Sequence, residues 1–193
     1  MTSSQASNRT NTVSQLIDAR ADAVPKSTAL IDRGRIWTYA ELAAESRRLA
    51  GGLLKLGIGS GDRVGFWLPN IAQYLTLHIA CARIGAITIS INTRFRSSEV
   101  GDIVGRSGCR ALVLWPSFKD IAFLDILAEV DSAQLEQLEI LITYSEDDQV
   151  TQLPGRQLSR RTVSYTDLAR SKMFAGDAAN AQSGVVVFTT SGT

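Results

Sequence analysis

The residues best suited to chemistry in this 193-residue chain lie at one end of it. The sequence closes on FTTSGT, whose last four residues are Thr190, Ser191, Gly192 and Thr193. Hydroxyl side chains and a glycine let backbone N–H groups come close to phosphate oxygens, so a loop of this composition at the end of a strand can cradle an anion. The apolar run before it, VVVF at 185–188, is bounded by turn residues and reads as a buried strand. The Lys and second Gly of the Walker pattern are absent, and an ordinary polar chain end has the same composition. From the residues alone both readings stand.

A second polar cluster, Asn92, Thr93 and Arg94, follows the apolar stretch AITISI. Asn is a turn former and an exposed Arg is commonly a solvated or paired charge, so the plain structural reading is preferred for both. His78 is the only histidine. Its setting, YLTLHIACARIG, marks a packed or half-buried helix residue in preference to a catalytic base. Cys81 and Cys109 sit in apolar surroundings without C-x-x-C spacing and read as buried thiols of a reducing compartment. Trp37, Trp67 and Trp115 fall in or beside strands and are assigned to packing.

These residues need elements to hold them. Residues 1–12 carry no apolar period and are expected to form a flexible tail, with order beginning at Val13. Val13, Leu16 and Ile17 share a helical face in a segment that ends before Pro25. TALIDRGRIWT alternates about Arg33-Gly34 and reads as a hairpin. Thr38 and Glu41 have capping-box spacing, so a helix starts there, carrying Leu42, Leu49, Leu53 and Leu56 and closing at Gly57 and Gly59. From residue 63 the rhythm changes. Strands at 63–69, 86–91, 111–115 and 139–143 alternate with helices near 70–84, 97–107 and 117–130, the pattern of parallel β-α-β units. The stretch 144–162 reads as a surface excursion, VSYTDLARS as a short helix, and 185–188 as the closing strand. The fold class is α/β, a parallel-rich sheet with flanking helices. In such sheets ligands sit beyond the carboxyl ends of the strands, where both polar clusters fall.

Composition narrows the partners. With 20 Lys and Arg against 19 Asp and Glu the net charge is +1, so no field draws nucleic acid or an anionic surface. No apolar stretch approaches the roughly 18 residues of a membrane span. The N-terminus lacks the basic-then-apolar order of a signal peptide, and the expected location is cytoplasmic.

Several stretches, taken in order, resemble the AMP-forming adenylating enzymes, the superfamily of acyl-CoA and aryl-CoA synthetases, luciferases and peptide-synthetase adenylation domains. They are WTYAELAAESRRLAGGLLKLGIGSGDRVGFWLPN, ARIGAITISINTRFRSSEV, SGCRALVLW and FTTSGT. The resemblance implies that residues 13–193 are an incomplete N-terminal AMP-binding region, part of the large N-terminal region of an adenylate-forming enzyme, and that the chain stops inside the family's phosphate loop. Thr190, Ser191, Gly192 and Thr193 would then bind ATP phosphates, and Thr190 would also touch Mg²⁺. None of the residues present matches a catalytic position of the family.

INTRFRSSEV is more similar to the acyl-CoA and aryl-CoA ligases than to the Pro-aspartate version typical of peptide synthetases. This implies a small-molecule carboxylic acid, fatty or otherwise hydrophobic, activated by ATP as an acyl-adenylate and passed to coenzyme A. The alternatives are an amino-acid-activating adenylation domain and a short non-catalytic relative acting as a binding module. An incomplete region implies three further things: inactivity of the 193 residues alone, exposed apolar surface, and either homo-oligomer formation or poor order of the last strand.

Overall fold

The computed structural model describes residues 12–116, 118–146, 160–180 and 182–189. Helix α1, Val13–Ala23, opens on a capping box in which the Thr12 hydroxyl accepts from the Gln15 N–H and the Gln15 side chain accepts from the Thr12 N–H. Thr12 therefore belongs to the ordered fold and not to the tail, and residues 1–11 lie outside the described residues. Strands β1, Thr28–Asp32, and β2, Arg35–Thr38, pair antiparallel across Arg33 and Gly34. Both turn residues have positive φ, 48° and 81°, the combination that lets a two-residue turn follow the strands' twist.

The expected capping box starts α2, Tyr39–Lys55. The Thr38 hydroxyl accepts from the Glu41 N–H at 3.2 Å while the Thr38 N–H donates to the Glu41 carboxylate at 2.8 Å. Gly57, at φ 87°, ends the helix. Its N–H donates to the Leu54 carbonyl and the Ile58 N–H to the Leu53 carbonyl, the paired bonds of a left-handed helix stop.

The main sheet follows. Its strands are β3, Arg63–Trp67, β4, Ile87–Ser90, β5, Cys109–Leu114, β6, Ile140–Thr143, β7, Arg161–Ser164, and β8, Val186–Phe188. They lie in the order β7-β6-β5-β3-β4-β8, and every neighbouring pair is parallel. The connecting helices are α3, Ala72–Ile84, α4, Ser97–Ser107, α5, Phe123–Ala128, and α6, Tyr165–Ala169.

Alternate residues of the central strands feed two cores. Val64, Phe66, Ala111, Val113, Ile140 and Ile142 pack on Leu49 and Leu53 of α2, Leu77 and Ile84 of α3, and Leu168 of α6. Trp67, Leu112, Leu114 and Leu141 pack on the opposite side against Val100 and Val104 of α4 and Phe123 and Leu127 of α5. Burial on both faces is why these strands read as continuous apolar runs without polar alternation.

Three further expectations change. Residues 161–164 form β7, in a region read as surface excursion and short helix, and only Tyr165–Ala169 is helical. RTVS has too few apolar residues to announce a strand; its pairing with β6 supplies the order. The helix expected over 117–130 narrows to Phe123–Ala128. Finally, β8 is not a buried strand. Val187 is 46% and Phe188 72% exposed, because β8 pairs with β4 alone and the described helices leave it uncovered. Pairing on one side alone makes an edge.

Candidate functional site

All six parallel strands end on the same side of the sheet. Phe188 pairs with Ser90, Ser90 with Phe66, and Phe66 with Val113, so Thr189 emerges level with the exits of β4, β3 and β5. Neighbouring strands β3 and β5 are followed by helices on opposite faces, α3 in one core and α5 in the other. Such a divergence opens a crevice at the carboxyl edge.

The exits are held by short-range bonds. The Ile91 N–H donates to the Phe66 carbonyl at 3.0 Å, and the buried Trp67 indole N–H donates to the Asn92 carbonyl at 3.1 Å. The Asn92 side chain accepts from the Arg94 N–H at 2.9 Å, which confirms Asn92 as a turn former. Arg94 is exposed. The partly buried Thr189 hydroxyl donates to the Ser90 carbonyl at 3.1 Å. Residues Thr190, Ser191, Gly192 and Thr193, to which phosphate and metal contacts are assigned, lie outside the described residues.

Side chains at this edge carry hydroxyl, amide and guanidinium groups. That set suits an anionic ligand. Among the described residues no group of three His, Cys, Asp or Glu could hold a metal ion.

The titratable groups are placed for structure. Burial lowers the His78 pKa below its ordinary value, and its Nδ1 lies 3.0 Å from the Thr88 hydroxyl on β4. Burial pushes the Cys81 and Cys109 thiols up to about 12, so neither is a thiolate near neutral pH. Both are free and buried, and Trp37, Trp67 and Trp115 are packed as expected.

A second opening escaped sequence reasoning. At the other half of the same edge, a cleft of about 700 Å³ lies between the β1–β2 hairpin, α2 and α6, lined in part by Arg35, Glu45, Arg48, Gln73, Tyr144 and Tyr165. Arg35 stacks over Trp37 at 3.9 Å, and Arg48 pairs with Glu45 at 3.0 Å. The Tyr165 hydroxyl donates to Glu45 at 3.0 Å and lies 2.9 Å from the Thr76 hydroxyl; burial, with the Glu45 carboxylate beside it, pushes its pKa far up. Its lining charges come from both signs, on segments far apart in the chain, which left no motif to find.

The topology defines a doubly wound α/β protein with polar exits at the carboxyl edge of its sheet. Its sequence matches the AMP-binding enzyme family over residues 17–193, and the chain belongs to that family. It is 35% identical over 129 residues to the medium-chain acyl-CoA ligase ACSF2, mitochondrial, of Macaca fascicularis, covering 64% of this chain and 21% of that protein. Against the acyl-CoA ligase sidI of Aspergillus fumigatus it is 38% identical over 104 residues, covering 54% and 18%. The N-terminal domain of FACL13 from Mycobacterium tuberculosis superposes with a TM-score of 0.74 at 22% identity, covering 94% of this chain and 42% of that one, and so shares the fold. The chain thus spans about a fifth of the length of these curated relatives.

Proposed function

We propose that the chain is the N-terminal part of an ATP-dependent, AMP-forming acyl-CoA ligase acting on a fatty or other hydrophobic carboxylic acid. The observation that carries this reading is the match of residues 17–193 to the AMP-binding enzyme family, on a parallel sheet whose β4–β8 pairing brings Thr189 to the carboxyl edge. The substrate class rests on relatives named as acyl-CoA ligases.

A free carboxylate is a poor acyl donor. In the proposed reaction its oxygen attacks the α-phosphorus of ATP, pyrophosphate leaves, and the coenzyme A thiol then displaces AMP from the acyl-adenylate. The backbone and hydroxyl donors of Thr190, Ser191, Gly192 and Thr193 hold the polyphosphate where charge develops on the leaving group. Mg²⁺, when bound with ATP, offsets that charge, and Thr190 is the protein ligand assigned to it.

Both cysteines are free, which supports a reducing compartment; the cytoplasmic assignment remains part of the proposal, since ACSF2 is mitochondrial. No helix among the described residues is long and apolar enough to cross a membrane.

The test is a pyrophosphate-release and thioester-formation assay on the protein expressed from its whole reading frame, with MgATP, coenzyme A and a panel of fatty, aromatic and amino acids. Thioester formation with a hydrophobic acid is expected. Thr190→Val should lower turnover by about a hundred- to a thousand-fold, the usual effect of removing one preorganised donor. Activation of an amino acid without coenzyme A, or no pyrophosphate from any acid, would overturn the reading.

A further inference from the structure

We propose that the cleft between the β1–β2 hairpin, α2 and α6 is a binding site for a small zwitterion, an α-amino acid with an apolar side chain. The inference goes beyond the ligase reading and does not depend on it.

At about 700 Å³ the cleft has the size of a small-molecule site. It opens at the carboxyl ends of β6 and β7, where ligands of parallel sheets gather: Tyr144 directly follows β6 and Tyr165 directly follows β7. Its floor is fixed. Tyr165 is bonded to Glu45 and Thr76 and meets Tyr144 edge-on at 5.7 Å between ring centroids. Most charges on the walls are already committed. Glu45 takes Arg48 at 3.0 Å as well as Tyr165, the Glu41 carboxylate takes the Thr38 N–H and hydroxyl at 2.8 and 2.9 Å, and Glu146 pairs with Arg33.

Two polar groups are left over. The Arg35 guanidinium lies 3.9 Å above the ring of buried Trp37, which occupies its face, and its N–H groups make no hydrogen bond or ion pair among the described residues. Its charge reaches the Glu41 carboxylate only through space. The Gln73 side-chain oxygen is buried and accepts no hydrogen bond among the described residues. A buried acceptor in that state is costly until a donor from outside supplies the bond. Arg35 and Gln73 also line an adjoining cavity of about 390 Å³, so the two face one space. A carboxylate fits the planar fork of Arg35, and an ammonium donates to Gln73. Around them Glu41, Glu45 and Glu146 outnumber Arg35 and Arg48, so a lone anion meets excess negative charge and a lone cation leaves Arg35 unanswered. A zwitterion answers both. Ala40, Ala44 and Ala169 give the wall an apolar stretch for its side chain.

The test is ligand-observed NMR titration, without ATP, of the protein expressed from its whole reading frame. L-leucine and L-phenylalanine should bind saturably. Leucinamide, which lacks the carboxylate, and N-acetyl-leucine, which lacks the ammonium, should each bind about ten-fold more weakly or worse, the loss of one charge-assisted hydrogen bond. Arg35→Gln, on the exposed hairpin, should weaken leucine by about the same factor and leave leucinamide unchanged. Gln73→Leu should weaken both leucine and leucinamide. No saturable binding of either amino acid, equal binding of either single-charge analogue, or leucine affinity unchanged in either variant would overturn the site. Binding is read here without turnover, so none of these outcomes bears on the ligase reading.

Discussion

His78 joins α3 to β4, the strand that carries β8, through the 3.0 Å contact between its Nδ1 and the Thr88 hydroxyl. Burial lowers its pKa below the ordinary 6.5, because the charged ring loses more hydration than the contact returns. The unfolded chain therefore binds a proton more readily than the folded one. Stability associated with His78 is complete above its unfolded pKa and is lost as pH falls through 6.5 toward the lower folded value. Melting temperature should drop between about pH 7 and pH 5.5, and His78→Gln, which cannot titrate, should flatten that drop. An unchanged slope in the variant would show that another group carries the dependence. The histidine's packed character was legible from its apolar neighbours. Its partner was not, since Thr88 meets it only once α3 lies on β4.

At the scale of elements, α2 shows why local preference does not decide everything. Gly51 and Gly52 lie inside the helix, where glycine costs about 1 kcal/mol relative to alanine. Tertiary contact explains them. A Cβ on Gly51 would land on the Lys172 carbonyl oxygen, and one on Gly52 would meet the Leu168 side chain at 2.8 Å and its Cα at 3.0 Å. Overpacking of this kind costs about 1–3 kcal/mol, which exceeds the propensity gain. Gly51→Ala should therefore destabilise the protein, by about 0–2 kcal/mol net, in urea unfolding; stabilisation would mean that the 172–174 segment moves away freely. The boundaries that local chemistry sets, the Thr38 capping box and the Gly57 stop, were readable in advance. β7 was not, because its order comes from pairing with β6.

The whole molecule is tied together by Arg83, only 1% exposed and near the end of α3. Its guanidinium makes two bonds to Asp18 of α1, at 2.7 and 2.8 Å, and its backbone carbonyl accepts from the Ala178 N–H at 2.8 Å. Beside it, Asp177 accepts from the hydroxyls of Thr12 and Ser14 at 2.7 and 2.8 Å. The first helix and the segment leading to β8 are thus fastened to the same helix. Burial opposes ionisation of Asp18, but Arg83 and Arg47 outweigh it and hold the carboxyl below its ordinary value. Its contribution is present above about pH 4 and fades as pH falls through the lowered value. Asp18→Asn leaves Arg83 charged, buried and without its ion partner, and should cost about 3–5 kcal/mol in urea unfolding. A loss under about 1 kcal/mol would show that the pair is solvated and weak.

Sequence alone determined most of the alternation of strands and helices, the parallel α/β class, the Thr38 cap and Gly57 stop of α2, the hairpin and the family. All of these depend on residues close together in the chain or on a pattern repeated along it. Strand order, the edge position and exposure of β8, the Arg83 tie, the mixed-charge cleft and the bond from Thr189 to Ser90 were decided by tertiary structure. Each joins residues far apart in sequence, 99 positions apart for the last, and a single chain carries no local signal of which distant partner a hydroxyl or a carboxylate will meet.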